Sequence, residues 1–133
     1  MDDPIQRHPT RAEQLDIITS VIAETTQPGD AVLDIGCGTG YFEHLLAERR
    51  DDLAVTGVDM NEASLAAAAE RFDGRGDYQW VKGDLRAPGE ISLPRADYRV
   101  AVTCLTFHDL ADVEKQAVMS WITGHLARDG MFV

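Results

Sequence analysis

The sequence predicts an α/β fold, a three-layer doubly wound open sheet whose strands run mostly parallel. Three observations predict it. Short apolar, β-branched runs alternate with segments whose apolar residues recur at helical spacing over most of the 133 residues, the pattern of successive βαβ units. The runs hold few polar residues, as strands covered on both faces require. Between the first run and the next helical segment lies "GCGTG", three glycines in five positions, at the place where such sheets bind ligands.

The elements follow in order. Residues 1–9 are a polar N-terminal segment. A helix over 11–23 carries Ala12, Leu15, Ile18 and Ile22 on one stripe, with Thr10 and Glu13 in capping-box spacing at its start. "QPGD" at 27–30 stops it. "AVLDI" (31–35) is the first strand, and "YFEHLLAERR" (41–50) a helix with Tyr41, Phe42, Leu45 and Leu46 on its core face. "LAVTGVD" (53–59) is the second strand, followed by a helix over 62–72 with Asn61 as its N-cap. "YQWVKGD" (78–84) and "YRVAVTCL" (98–105) are the third and fourth strands. Trp80 shares a face of the third with Tyr78 and Lys82, a face that needs a helix over it. A last helix is marked by Val113, Ala117, Val118, Trp121 and Ile122 and capped by Asp112, and "DGMFV" (129–133) begins a fifth strand. No repeat or linker divides the chain, so one domain over 1–133 is expected.

Composition removes several classes of function. Twenty-three acids stand against 12 bases, a formal net charge of −11, which opposes nucleic acid and anionic membrane surfaces alike. The one basic cluster, "ERR" at 48–50, is followed at once by Asp51 and Asp52. No apolar run approaches the ~20 residues of a membrane span. The first ten residues lack the layout of a signal peptide, so the cytoplasm is the expected compartment. Cys37 and Cys104 have no spacing that suggests zinc or a disulfide framework.

The acids decide what the glycine loop is for. A dinucleotide fingerprint reads G-x-G-x-x-G and seats a diphosphate on the helix behind it. Here the spacing is G-x-G-x-G, with Tyr41 next. Asp34 precedes the first glycine by two residues, Asp59 ends the second strand and Asp84 ends the third. Three carboxylates at adjacent strand ends repel a diphosphate and attract an ammonium. Asp59 suits the two hydroxyls of a ribose. Asp84 suits the amino group of an adenine, with the Leu85 N–H facing a ring nitrogen. The ligand implied is a ribosyl-adenine bearing an amine and no phosphate. A nicotinamide-dependent oxidoreductase, the alternative on the same geometry, has no use for Asp84.

On these residues the chain resembles the class I S-adenosylmethionine-dependent methyltransferases. "VLDIGCGTG" is similar to their first motif, "VTGVDMN" to the second, "VKGDL" to the third, "VAVTCLTFHDL" to the fourth and "LARDGMFV" to the fifth. The resemblance implies S-adenosyl-L-methionine as cofactor and methyl transfer to a small-molecule acceptor. The loop from Gly36 through Cys37, Gly38, Thr39 and Gly40 would line the methionine portion, with Asp34 on its ammonium directly or through water. Asp59 would take the ribose and Met60 pack on the adenine. Gly83, Asp84 and Leu85 would read the adenine edge, and Cys104 and Leu105 close over the amino-acid end. His108 and Asp109, after the fourth strand, are the candidates for a general base if the acceptor must lose a proton.

Two features depart from the family. Its fourth motif commonly begins with an aromatic–aspartate pair, where this chain has Tyr98 and Arg99. Its members also continue past the fifth strand, the last strand being antiparallel, so this C-terminally short chain is expected to lack cover on its last strand and to aggregate or dimerise through it. A domain that binds the cofactor without catalysing transfer, or a truncated product, is the alternative. The remaining conspicuous residues read as structural: Trp121 as core, His44 and His125 as solvated, Arg7 and His8 as a polar tail.

Overall fold

In the computed structural model, which describes residues 9–103 and 110–133, helices and strands alternate throughout. The order is α1 (Pro9–Thr25), β1 (Ala31–Ile35), α2 (Tyr41–Arg49), β2 (Ala54–Asp59), α3 (Glu62–Arg71), β3 (Asp77–Lys82), a 3₁₀ turn (Pro88–Glu90), β4 (Tyr98–Thr103), α4 (Asp112–His125) and β5 (Leu126–Phe132). The five strands form one sheet in the order β3-β2-β1-β4-β5, and every pairing is parallel. The order reverses beside β1, so the ends of β1 and β4 flank the switch point where such sheets bind ligands.

Helices cover both faces, which explains the apolar composition of the central strands. On one face Ile22 of α1 and Phe42 and Leu46 of α2 pack on Val32, Val55, Val100 and Val102. On the other, Val118 and Ile122 of α4 pack with Leu33, Ile35, Val58, Ala101 and Tyr98. Tyr98 is fully buried, and its hydroxyl donates to Thr56 Oγ1 at 2.8 Å, which satisfies the polar atom that burial strands. Arg99 turns to the opposite end of the sheet from the glycine loop, pairing with Asp30 and Asp129. It therefore ties the start of β4 to β5 and stays clear of the ligand-binding edge.

Several expected boundaries shift for identifiable reasons. The first helix starts at Pro9, so Thr10 lies inside it; proline suits a first helical position, where its missing N–H costs nothing. The N-cap of α4 is Ala111 and not Asp112. Glu114 Oε1 accepts from the Ala111 N–H at 2.9 Å, so the acid three residues on supplies the cap interaction. Asn61 does cap α3, accepting from the Ser64 N–H at 3.0 Å. Val113 is 72% exposed and Ala117 is exposed as well, because α4 meets the core along Val118 and Ile122, with Trp121 packed partly against it. His125 is half-buried, its ring packed on Trp121 with Nδ1 2.8 Å from the Trp121 carbonyl. β5 begins at Leu126, and its register on β4 shifts between Tyr98 and Val100. Gly130 sits in that shift, where a Cβ would stand 2.8 Å from the Tyr98 carbonyl oxygen.

Trp80 fills the space beneath α3, as its alternation predicts. Phe72 lies 4.4 Å from Tyr78 and 5.6 Å from Trp80, centroid to centroid. The indole also presses on β2, where a Cβ on Gly57 would come within 2.7 Å of the Trp80 ring and 2.9 Å of Cys37 Sγ. Gly57→Ala is expected to destabilise the fold by about 1–3 kcal/mol through overpacking, read as a lower urea midpoint. In a Trp80→Leu background the same change is expected to cost less, because contacting residues couple; strictly additive losses would exclude the indole as the cause.

Candidate functional site

The glycine loop leaves β1 through three left-handed residues, Gly36, Gly38 and Gly40, with φ of 80°, 57° and 87°. A residue with a Cβ pays about 1–2 kcal/mol for that region. The loop is strapped to β2: the Gly36 and Cys37 N–H groups both donate to the Val58 carbonyl, at 2.7 and 3.0 Å. Gly40 is the N-cap of α2 and abuts the Phe72 ring, 3.2 Å from where its Cβ would be. Cys37 points inward and is buried. Burial first, then the negative charge of Asp34, Glu43 and Asp59, push its thiol far above the usual range, which makes it inert.

Asp59, the last residue of β2, organises the edge. Its Oδ2 accepts from the Gly38 N–H and its Oδ1 from the Asn61 N–H, both at 2.9 Å. Its carbonyl accepts from the Gly83 N–H at 3.0 Å. One residue thus fixes the glycine loop, the start of α3 and the exit of β3. Each carboxylate oxygen still has a lone pair to offer.

Between these exits lies a cleft of about 310 Å³, within the ~300–1,000 Å³ of small-molecule sites. Val58, Met60, Leu85 and Leu110 supply its apolar walls; Gly36, Asp59, Gly83, Asp84 and Arg86 line the rest. Met60 is 56% exposed, an uncovered thioether beside an acid. Asp84 is held by Arg86: the guanidinium Nη2 lies 2.8 Å from Oδ2, and the Arg86 N–H donates to Oδ1 at 2.9 Å. These hydrogen bonds keep the Asp84 carboxyl below the usual carboxylate range. Among the described residues no group of three or more His, Cys, Asp or Glu is placed to hold a metal ion.

Behind the loop sits a pair of acids that the cleft does not expose. Asp34 is 1% exposed and Glu43, in the first turn of α2, 0%. None of their four carboxyl oxygens receives a hydrogen bond from an N–H or hydroxyl of the described residues; they interact with each other. Burial pushes the Asp34 carboxyl up to about 6. Burial and then the Asp34 charge push Glu43 well above its usual value.

Of the residues expected to form the site, Gly36, Asp59, Met60, Gly83, Asp84 and Leu85 meet around one cleft. Cys37, Gly38, Thr39 and Gly40 form the loop beside it, and Asp34 lies beneath. Cys104, Leu105, His108 and Asp109 lie outside the described residues, as do Arg7 and His8. Arg86, Leu110 and Glu43 were not foreseen. Arg86 carried a legible signal, a base two residues after an acid at a strand exit. Glu43 carried none, since an acid in the first turn of a helix reads as solvated.

The family model described as "Methyltransferase domain" matches residues 33–132. The chain belongs to the methyltransferase domain family. Carboxy-S-adenosyl-L-methionine synthase of Campylobacter lari is 29% identical over 136 aligned positions, covering 99% of this chain and 55% of that protein. Trans-aconitate 2-methyltransferase of Streptomyces avermitilis is 28% identical over 129 positions, 95% of this chain and 43% of the other. The methyltransferase domain thus spans about half the length of the curated relatives it matches. A TehB-like SAM-dependent methyltransferase from Corynebacterium glutamicum superposes with a TM-score of 0.70 at 22% identity, over 96% of this chain and 71% of that one, which shows a common fold. The family depends on S-adenosylmethionine, and the cleft fits it: acids at two strand exits, an apolar floor and, among its described lining residues, one base, Arg86, already paired with Asp84.

The acid pair makes the stability of the methyltransferase domain depend on pH. A carboxyl that binds its proton more tightly folded than unfolded stabilises below its unfolded value, and the contribution is lost as pH rises through the folded one. For Asp34 that window runs from 3.8 to about 6, and Glu43, also raised, carries the loss higher. Glu43→Gln removes one such proton. Its stability, read from melting curves between about pH 5 and about pH 8, is expected to gain on wild type as pH rises, by no more than ~1.4 kcal/mol per pH unit. Parallel melting curves across that range would show that Glu43 does not titrate there.

Proposed function

We propose that this domain binds S-adenosylmethionine in the cleft at the ends of β1, β2 and β3, and that the protein carrying it transfers the sulfonium methyl to a small-molecule acceptor. The observation that carries the reading is Asp59. Its carboxylate is locked by two backbone N–H groups at the rim of an apolar-floored cleft, with acceptor capacity left for a pair of vicinal hydroxyls. Met60 offers its exposed side chain to the adenine. Asp84 and the Leu85 N–H take the adenine edge, with Arg86 holding the carboxylate charged and turned to the cleft. Gly36 to Gly40 leave room along the methionine portion, and Asp34, sealed beneath them, would answer its ammonium through water.

The cofactor supplies an activated leaving group, so the protein's own work is positioning and exclusion of water. Cys104 and Leu105 belong in this reading as the residues that close the amino-acid end. His108 and Asp109 belong as the base, needed only for acceptors that must lose a proton. Trans-aconitate 2-methyltransferase, among the relatives, is named for a small organic acid, and the net charge of −11 turns nucleic acid away. A cytoplasmic setting accords with the polar sequence, and among the described residues no helix is long and apolar enough to cross a membrane. Self-pairing through β5, an edge of the sheet, completes the proposal; a dimer is its expected light-scattering result.

Calorimetric titration tests the cofactor. S-adenosylmethionine and S-adenosylhomocysteine are expected to bind and NAD not to; binding of NAD alone would sink the reading. Asp59→Ala is expected to weaken the adenosyl ligand by about 1.5–3 kcal/mol, the range for hydrogen bonds to a charged group. An unchanged affinity with the fold intact would remove Asp59 from the ribose.

A further inference from the structure

We propose that Trp80 is a positioning residue for the glycine loop: its indole shares the space over Gly57 with the Cys37 thiol, backs the loop at Gly40, and so sets the shape that the loop offers to the amino-acid end of the cofactor. The inference rests on the cofactor reading above and adds to it a residue outside the cleft.

The register of the sheet explains why the ring lies there. Asp34 of β1 pairs with Gly57 of β2, and Gly57 with Trp80 of β3, so the three form one row on one face. With no side chain at 57, the indole leans from β3 over β2, and the Cys37 thiol enters the same space from the loop. A Cβ on Gly57 would stand 2.7 Å from Cε3 and Cζ3 of the indole and 2.9 Å from Cys37 Sγ. The same six-membered ring reaches the other end of the loop. The Cβ position of Gly40 lies 3.6 Å from Trp80 Cη2, with Phe72 Cε2 at 3.2 Å and Ala68 Cβ at 3.4 Å. Phe72 holds the indole from the end of α3, at 5.6 Å between centroids. Tyr78 stacks on it from its own strand, at 6.2 Å with the planes 7° apart.

The loop needs this support at one end. Its start is tied to β2 by the Val58 carbonyl and its middle by Asp59. Among the described residues, the backbone bonds of Gly40 stay within the loop and the helix it caps, to Cys37 and His44. What joins Gly40 to the neighbouring strands is therefore packing on Trp80, Phe72 and Ala68. Glycine leaves the left-handed region as readily as it enters, so a gap beneath Gly40 lets the loop settle into other shapes. A site whose competent shape is less populated binds more weakly by that fraction. The loss falls on the portion of the ligand that runs along the loop and spares the adenosine, held at the exits of β2 and β3. Neither Trp80 nor Gly57 is among the described residues that line the cleft, so substituting them removes no group that touches the ligand.

The experiment measures binding of S-adenosylhomocysteine and of 5′-methylthioadenosine to the 133-residue chain by calorimetry. The first compound carries the amino-acid portion; the second ends at the methylthio group. A loss of folded protein weakens both alike, so the ratio of the two affinities reads the loop and not the stability of the core. Trp80→Leu is expected to lower S-adenosylhomocysteine affinity about tenfold or more, and that of methylthioadenosine by less than about threefold. Gly57→Ala keeps the indole but displaces it, and is expected to shift the ratio in the same direction by about threefold or more. It also serves as the test if the leucine variant does not fold. Both changes act on one contact, so the double variant is expected to shift the ratio by less than the product of the two single shifts. An unchanged ratio in either folded single variant overturns the proposal, and so does a double variant whose shifts multiply. Failure of both compounds to bind the wild-type chain overturns the cofactor reading itself, an outcome distinct from an unchanged ratio.

Discussion

The ligand-binding edge of this domain depends on one carboxylate. Asp59 accepts from the N–H of Gly38 and of Asn61, and its carbonyl accepts from the N–H of Gly83. The glycine loop would otherwise be the least determined part of the sheet, because residues that enter the left-handed region freely also leave it freely. Fixing Gly38 to the end of the neighbouring strand turns that freedom into a shape. The Val58 carbonyl, which receives two loop N–H groups, completes the clamp. Charged acceptors make the stronger hydrogen bonds, so an acid at position 59 first shapes the loop and then remains to meet a ligand.

Much of this was legible before any coordinates. The strands declare themselves through β-branched runs, and β1 and β2 end where their acids stand. Asp34, Asp59 and Asp84 could be placed at adjacent strand ends because parallel order and right-handed crossovers leave few arrangements. What escaped was side-chain direction within helices. The pattern at 41–50 marks Tyr41, Phe42, Leu45 and Leu46 as core; Phe42 and Leu46 are buried, Tyr41 and Leu45 only half-buried, and the pattern says nothing of Glu43 among them. Val113 continues the apolar stripe of α4 in sequence yet faces solvent, because the helix meets the core farther along, at Val118, Trp121 and Ile122. The Ala111 cap was hidden for a related reason: the interaction comes from Glu114 reaching back, and alanine gives no sign of it.

The electrostatics of the cleft are less one-sided than three acids suggest. Arg86 neutralises Asp84 in place, and Asp34 is withdrawn beneath the loop. What faces the cleft is one acid with open lone pairs, one paired acid and four apolar side chains. That favours a ligand mostly flat and apolar, with hydroxyls at one point and an amine beyond the loop. A pyrophosphate asks for the reverse: free N–H groups at the helix end and no carboxylate nearby. Here the Gly38 N–H is already committed to Asp59.

The withdrawn acids carry a cost that packing alone does not explain. Sequences depart from the rules of a good core chiefly where function asks for it, and this departure lies in the one layer where the central strand meets the loop. A leucine at 43 would extend the cluster formed by Phe42 and Leu46, and an asparagine at 34 would end the like-charge contact. Either change removes a buried carboxyl from the interior. Both acids are present, buried, and unserved by any donor of the described residues, in the layer beneath the glycine loop. The fold spends stability there, and the loop above it is where a cationic amino acid would arrive.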